Sequence, residues 1–493
     1  MNSTLLSEIR RRGEGFLHDL NRHVYLTSSG LGNNSSFREI YNSYGGMFEP
    51  SDFVDSLKEE SAESPEEQTG KKLIFSFLSE HVIGRKTAGL LDEIASLECE
   101  RGIRLGGRLL SLRDCLIAIE LEPKRGVRDE IAEKTAPVME KINQSMLKTL
   151  DIRRSTAHDL GYDGLIGMAD ETGSLELGHL RTEAEAFLKD TEYVYSDLLR
   201  WMLSRRLPIK EPKRHDIDFL LNSFEFTDYF GSGNLLPTME RFLAEMGAGH
   251  SKNIRCDLEA RANKLKTVEA VPIDPPREAA FAIYPLGSVE DYGSFLSQTG
   301  KALSFAFVPE DDLFEFRFLR DRTYMELFGT LFANLILEPT WAKRYMRLDV
   351  TPNLSVPLAF RRLARIRLTA AGLIYSLELH GDEGAAPRPE AYMEAMDNAL
   401  LCSHDPALYL IANEADIFGA AHRFRALMLE PSISAHMKER FDEQWWRVLE
   451  TMGYLGGLWE AGGRTTYEDL AKEVGVEKLE SRPVMDYFEK ALG

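Results

Sequence analysis

The chain has 493 residues, a formal net charge of -20, 43% hydrophobic and 28% charged residues. That length allows about two to four domains, or one large multi-lobed one, with ample chain for a sizeable core. The acidic balance argues against nucleic acid or an anionic membrane as partner. The N-terminal stretch MNSTLLSEIRRRGEGF lacks the apolar centre of a secretory signal. No run reaches the roughly 20 apolar residues that span a bilayer. Cys99, Cys115, Cys256 and Cys402 show no C-x-x-C spacing, which predicts free thiols in a reducing cytoplasm.

In chain order, residues 1–55 predict two short helical segments around TSSGLGNNSS. Residues 58–72, KEESAESPEEQTGKK, are acidic and aperiodic and read as a solvated loop. From Ile74 to Arg101 apolar residues recur at helical spacing. Further helices are predicted at 126–150, 181–205 and 236–247, with the proline-punctuated LPIKEPKRHD (207–216) as a connection. AAFAIY (279–284) reads as a strand closed by Pro285. Two helices, 289–308 and 321–341, follow. After them come helices at 356–377, 388–402, 405–430, 434–453, 466–474 and 482–491. The fold class is therefore mainly α with a small β-sheet. It divides into an N-terminal helical half (1–270) and a C-terminal half (271–493).

The chemistry centres on the 289–308 helix, VEDYGSFLSQTGKALSFAFV. Ser288 and Asp291 form an S-x-x-[DE] capping signature, and Pro309 ends the helix. Ser297 and Lys301 stand four apart on one face, with Gln298 after the first. Two histidines at those places with a glutamate between would make H-E-x-x-H, a zinc site with its base. Glu326 follows Lys301 by 25 residues in a nearly apolar helix, where Thr323, Glu326, Thr330 and Asn334 make one polar stripe. A carboxylate in so apolar a helix needs a partner or a cavity. Lys301 has the stem length to be that partner, and an ion pair between Lys301 and Glu326 is predicted.

This stretch resembles the thimet oligopeptidase and oligoendopeptidase F family of gluzincin metallopeptidases. Active members read roughly P-x-G-G-x-x-D-Y-x-x-x-x-H-E-x-G-H-A-x-H. Pro285, Gly287, Asp291, Tyr292, Gly300 and Ala302 are in step, with Ser288 at the second glycine. DEQWWRVLETMGYLGGLWEAGG and CDLEARANK are similar to further stretches of bacterial members. The resemblance implies a zincin-like helical clamshell with a small sheet beside the active-site helix. It puts zinc ligands at positions 297 and 301, the general base at 298 and the third ligand at Glu326. Serine is a poor ligand, glutamine is no base, and lysine brings a cation where a dication would sit. Ile417 and Gly419 fall where the resemblance implies an oxyanion-binding tyrosine and an arginine.

The expectation is a degenerate member, a pseudopeptidase without zinc that keeps a channel for peptides or a protein partner. The alternatives are a hydrolase using non-standard residues, or a structural partner of an active paralogue. In the resembling family an edge of the small sheet pairs with substrate backbone. Ala279, Phe281 and Ile283 of the strand, with Thr330 and Asn334, are thus candidate peptide contacts; the other reading is a strand that pairs only with its own neighbours.

Overall fold

In the computed structural model, which describes residues 3–32, 35–49, 64–222, 226–349, 351–381, 386–411 and 418–492, one helix runs unbroken over Ser3–Ser28. A second helix, Phe37–Ser43, follows the TSSGLGNNSS patch, so two helices flank it as predicted, the first of them longer than expected. The TSSGLG run ends this helix, because Gly30 adopts φ +68° and a Cβ on it would lie 2.5 Å from the Ala262 carbonyl oxygen.

The acidic stretch read as a loop is in large part a helix start. Ser64 accepts a hydrogen bond from the Glu67 N–H, Pro65 takes the first helical position, and Glu66 and Glu67 sit in the first turn of Pro65–Cys99. A capping serine, an N1 proline and acids at the positive helix end outweigh the polar composition. Residues 58–63 lie outside the described residues. A small hairpin, β1 (Ile103–Leu105) and β2 (Arg108–Leu110), turns on Gly106–Gly107, both at positive φ.

Other boundaries move for local reasons. The 181–205 prediction is two helices, Leu177–Asp190 and Glu192–Arg206, parted at Thr191. The 321–341 helix ends at Ala333, becomes a 3-10 turn over Asn334–Leu337, and restarts as Pro339–Met346. The predicted break near Pro431 does not occur. Gly419–Arg440 runs through that proline, with Leu429 and Ile433 in the main core on either side. Of the predicted 405–430 helix, the part from Gly419 onward belongs to Gly419–Arg440, the start is a short turn at Pro406–Leu408, and residues 412–417 lie outside the described ones.

The strand at 279–284 forms as β5 (Glu278–Ile283), between β3 (Ile254–Asp257, parallel) and β4 (Thr267–Asp274, antiparallel). The half boundary at residue 270 runs through β4, whose partner β5 lies beyond it, so it is no boundary of this sheet. β4 bulges between Val268 and Val271, which pulls Glu269 and Ala270 out of the ladder. The motif helix, Val289–Ala306, packs between this sheet and the glutamate helix, Arg322–Ala333. Tyr292, Leu296, Ala302 and Leu303 are fully buried in a core that also takes in Phe328, Phe332 and Trp459. Gly300 sets the closeness of the two helices, since a Cβ there would lie 2.4 Å from the Phe328 carbonyl oxygen. No helix among the described residues is long and apolar enough to cross a membrane.

Candidate functional site

The residues in step with the peptidase pattern at the start of the motif helix make its cap. The Asp291 carboxylate accepts from the N–H groups of Leu286 (3.1 Å) and Gly287 (2.7 Å), and Ser288 completes a capping box. Tyr292 donates to the Gly231 carbonyl at 3.2 Å. This fixes the direction from which positions 297–301 meet the glutamate helix.

At those positions the chain supplies its own cation. Lys301 Nζ lies 2.6 Å from Glu326 Oε1, the ion pair predicted from the sequence, and 3.5 Å from Glu269 Oε1 in the β4 bulge. Burial works against the charge on Lys301, but the two carboxylates outweigh it and raise its pKa. Burial also raises the Glu326 pKa, against the pull of Lys301. The lysine stays charged, and the carboxylate takes up a proton more readily than a free glutamate. The Lys301 stem and Ser297 Oγ pass over Gly329, where a Cβ would meet Lys301 Cε at 3.0 Å and Ser297 Oγ at 3.1 Å. Buried Gln298 accepts a hydrogen bond from the Ala270 N–H at 2.8 Å. Positions 298 and 301 thus brace the β4 bulge against the motif helix.

This donor set does not fit zinc. An ammonium occupies the space beside Glu326, Gln298 spends its oxygen on Ala270, and Ser297 is a weak donor. Among the described residues no group of three His, Cys, Asp or Glu side chains could hold a metal ion.

The candidate peptide contacts need correction. Ala279, Phe281 and Ile283 are buried in the central strand, whose two sides are taken by β3 and β4, so no peptide can add to it. On β4 the Ala270 N–H is already satisfied by Gln298. The polar stripe of the glutamate helix is engaged by the protein's own groups, Thr323 and Asn334 by residues of the Gly419–Arg440 helix. Thr323 bonds His422 Nδ1 at 2.8 Å, Thr330 donates to its own helix at the Glu326 carbonyl, and Asn334 stands beside Glu430. Burial and three nearby arginines hold His422 neutral, and Thr323 is fully buried, so this hydroxyl–imidazole pair is closed to substrate. Gly419 opens the helix as its first residue, and Ile417 lies outside the described residues.

Sequence reasoning missed a cavity of about 770 Å³ next to this closed site. Its walls come from the helices Leu112–Leu121, Arg125–Asp159, Arg214–Asn222, Pro352–Gly381 and Pro389–Leu400, and from the start of Gly419–Arg440. Arg423 joins the two regions, since it lines the cavity and its charge acts on both Lys301 and Glu326. The wall is assembled from segments scattered between Leu116 and Arg423, and no local motif marks them.

Solved structures share this fold over nearly the whole chain. PZ peptidase A, solved with an inhibitor, superposes with a TM-score of 0.66 at 13% identity, covering 98% of this chain and 91% of that one. A protein assigned as an oligoendopeptidase F gives 0.64 at 12% identity, covering 98% and 89%. Another so assigned, from Bacillus anthracis str. Ames, gives 0.67 at 12% identity, covering 97% and 89%. At these identities the likeness establishes the fold alone. No protein-family profile and no curated protein sequence matches the chain.

Proposed function

We propose that this chain is a peptidase-fold protein without zinc chemistry, a degenerate relative of the oligoendopeptidases that binds peptides in its interior and does not cleave them. The observation that carries this reading is the Lys301 ammonium 2.6 Å from Glu326. With an internal cation in place, the carboxylate needs no metal to offset its charge. A metal bound there would meet like-charge repulsion from the lysine. The cavity beside it has the size of a ligand site, within the roughly 300–1,000 Å³ usual for such pockets. The four free thiols fit a cytoplasmic protein.

The test combines turnover and binding. Internally quenched peptides, incubated with the purified chain and added zinc, are expected to stay intact. Fluorescence anisotropy of labelled peptides is expected to show saturable binding. Zinc-dependent cleavage that disappears on chelation and in Glu326→Gln would overturn the reading.

A further inference from the structure

A depression of about 500 Å³, which shares no wall residue with the larger cavity, forms where three helices meet. Phe37–Ser43 brings Arg38 and Asn42, four residues apart and so on one face. Pro65–Cys99 brings Arg85, Lys86, Gly89, Leu90 and Glu93. Arg125–Asp159 brings Lys148 and Ile152, again one turn apart. Four cations thus stand against one carboxylate in this wall, in a chain whose formal net charge is -20.

The four cations are not equally paired. Arg85 donates to Glu49 and to the Gly45 carbonyl, each at 3.0 Å, and Lys86 reaches Asp159 at 2.9 Å. Glu49 and Asp159 are 60% and 61% exposed, so these are solvated pairs that contribute little. Glu93 accepts from Ser145 at 3.0 Å, and neighbouring Asp92 accepts from the backbone N–H groups of Phe37 and Arg38. Among the described residues, no carboxylate lies within ion-pair distance of the Arg38 guanidinium or the Lys148 ammonium. Gly89 gives the guanidinium its seat. A Cβ there would fall 2.1 Å from Arg38 Nη2, so this group lies directly on helix backbone that any side chain would cover.

We propose that this depression binds a small phosphate-bearing molecule, with the phosphoryl oxygens between Arg38 and Lys148 and the organic part against Leu90 and Ile152. Two unpaired cations match the charge of roughly -1.5 to -2 that a phosphate monoester carries at pH 7. A monocarboxylate would satisfy one of them and leave the other. A planar guanidinium fork and a point-charge ammonium are both phosphate binders, and their charge-assisted bonds are the strong ones. Arg85 and Lys86 add to the local positive field, which draws anions to this part of an acidic surface. The site shares nothing with the peptide reading, and neither depends on the other.

Calorimetry on the full chain at physiological ionic strength, with phenyl phosphate, benzoate and inorganic phosphate, tests this. Phenyl phosphate is expected to bind saturably at one site, about tenfold or more tightly than benzoate, and more tightly than inorganic phosphate. Arg38→Gln with Lys148→Gln should weaken it by about tenfold or more, as charge-assisted bonds are lost. Arg200→Gln with Lys343→Gln removes the same charge from exposed positions outside this wall, and is expected to change binding by less than about twofold, since distant charges are screened. Should the first double variant fail to fold, Gly89→Ala displaces the Arg38 guanidinium while favouring the helix, and it too should weaken phenyl phosphate. No saturable binding of phenyl phosphate, or equal binding of benzoate, overturns the site. Equal losses in the two double variants also overturn it, because the attraction would then be that of overall charge. Inorganic phosphate bound as tightly as phenyl phosphate overturns the contact with Leu90 and Ile152.

Discussion

The motif crevice and the cavity beside it are built from similar side chains and end in opposite states. In the crevice every charge has met its counterpart. Lys301 lies between Glu326 and Glu269, Gln298 is spent on Ala270, and Gly300 and Gly329 let the two helices close over them. In the cavity, the Arg214–Asp218 pair stays accessible, Arg214 keeps an N–H without an acceptor, and Leu116 faces open space. Closing a site takes few residues when helices already touch; filling a cavity walled by six helices would take many. A crevice and a cavity in one fold can therefore close independently.

The comparison is broken most strongly by reopening the crevice. Ser297→His, Gln298→Glu and Lys301→His together would restore a ligand set with Glu326, and structural zinc sites contribute about 10–16 kcal/mol of binding free energy. Even a strained version should bind zinc in titration calorimetry. A folded triple variant without zinc affinity would show that the helices do not present these positions to a common point.

Next in size is the ion pair. Lys301→Met or Glu326→Leu alone leaves a buried charge unpaired and is expected to destabilise by roughly 3–5 kcal/mol, while the double variant loses far less. Urea denaturation of the three variants measures the coupling, and additive losses would contradict a closed pair. Gly300→Ala tests the close approach. A Cβ 2.4 Å from a backbone oxygen cannot be relieved by a rotamer change, and overpacking costs about 1–3 kcal/mol. The roughly 1 kcal/mol gained in helix propensity offsets only part of it. An unchanged melting temperature would mean that the helices separate easily.

The smallest effect is in pH. Burial raises the Glu326 pKa above its unfolded value, so the folded state binds that proton more tightly and this group's contribution to stability rises as pH falls. Lys301, also raised, stays protonated in both states below its ordinary value and adds no slope there. Relative to the double variant, the parent chain should gain stability between pH 7 and the ordinary glutamate range. A difference that grows in the other direction would place Glu326 as a depressed, fully ionised partner.

The crevice was legible in the sequence and the cavity was not, for physical reasons. Ser288, Asp291 and Pro309 mark the motif helix locally, and Lys301 with Glu326 are joined by one spacing and one stem length. The Gln298 brace depends on β4, whose TVEAVPID sequence, with a proline, gives a weak strand signal. Placing 279–284 as a strand was correct, but its central position follows from pairing with segments on either side of it. Arg214, Asp218, Met396 and Arg423 meet only through packing of helices far apart in the chain. The Pro65 helix start was readable from S-P-E-E, and composition masked it.

Elemental analysis of the purified, tag-free chain tests the central claim most directly. With Lys301 seated on Glu326, zinc is expected at well below one ion per chain, and dialysis against excess zinc followed by buffer should not raise it. Close to one tightly held zinc per chain would contradict the account.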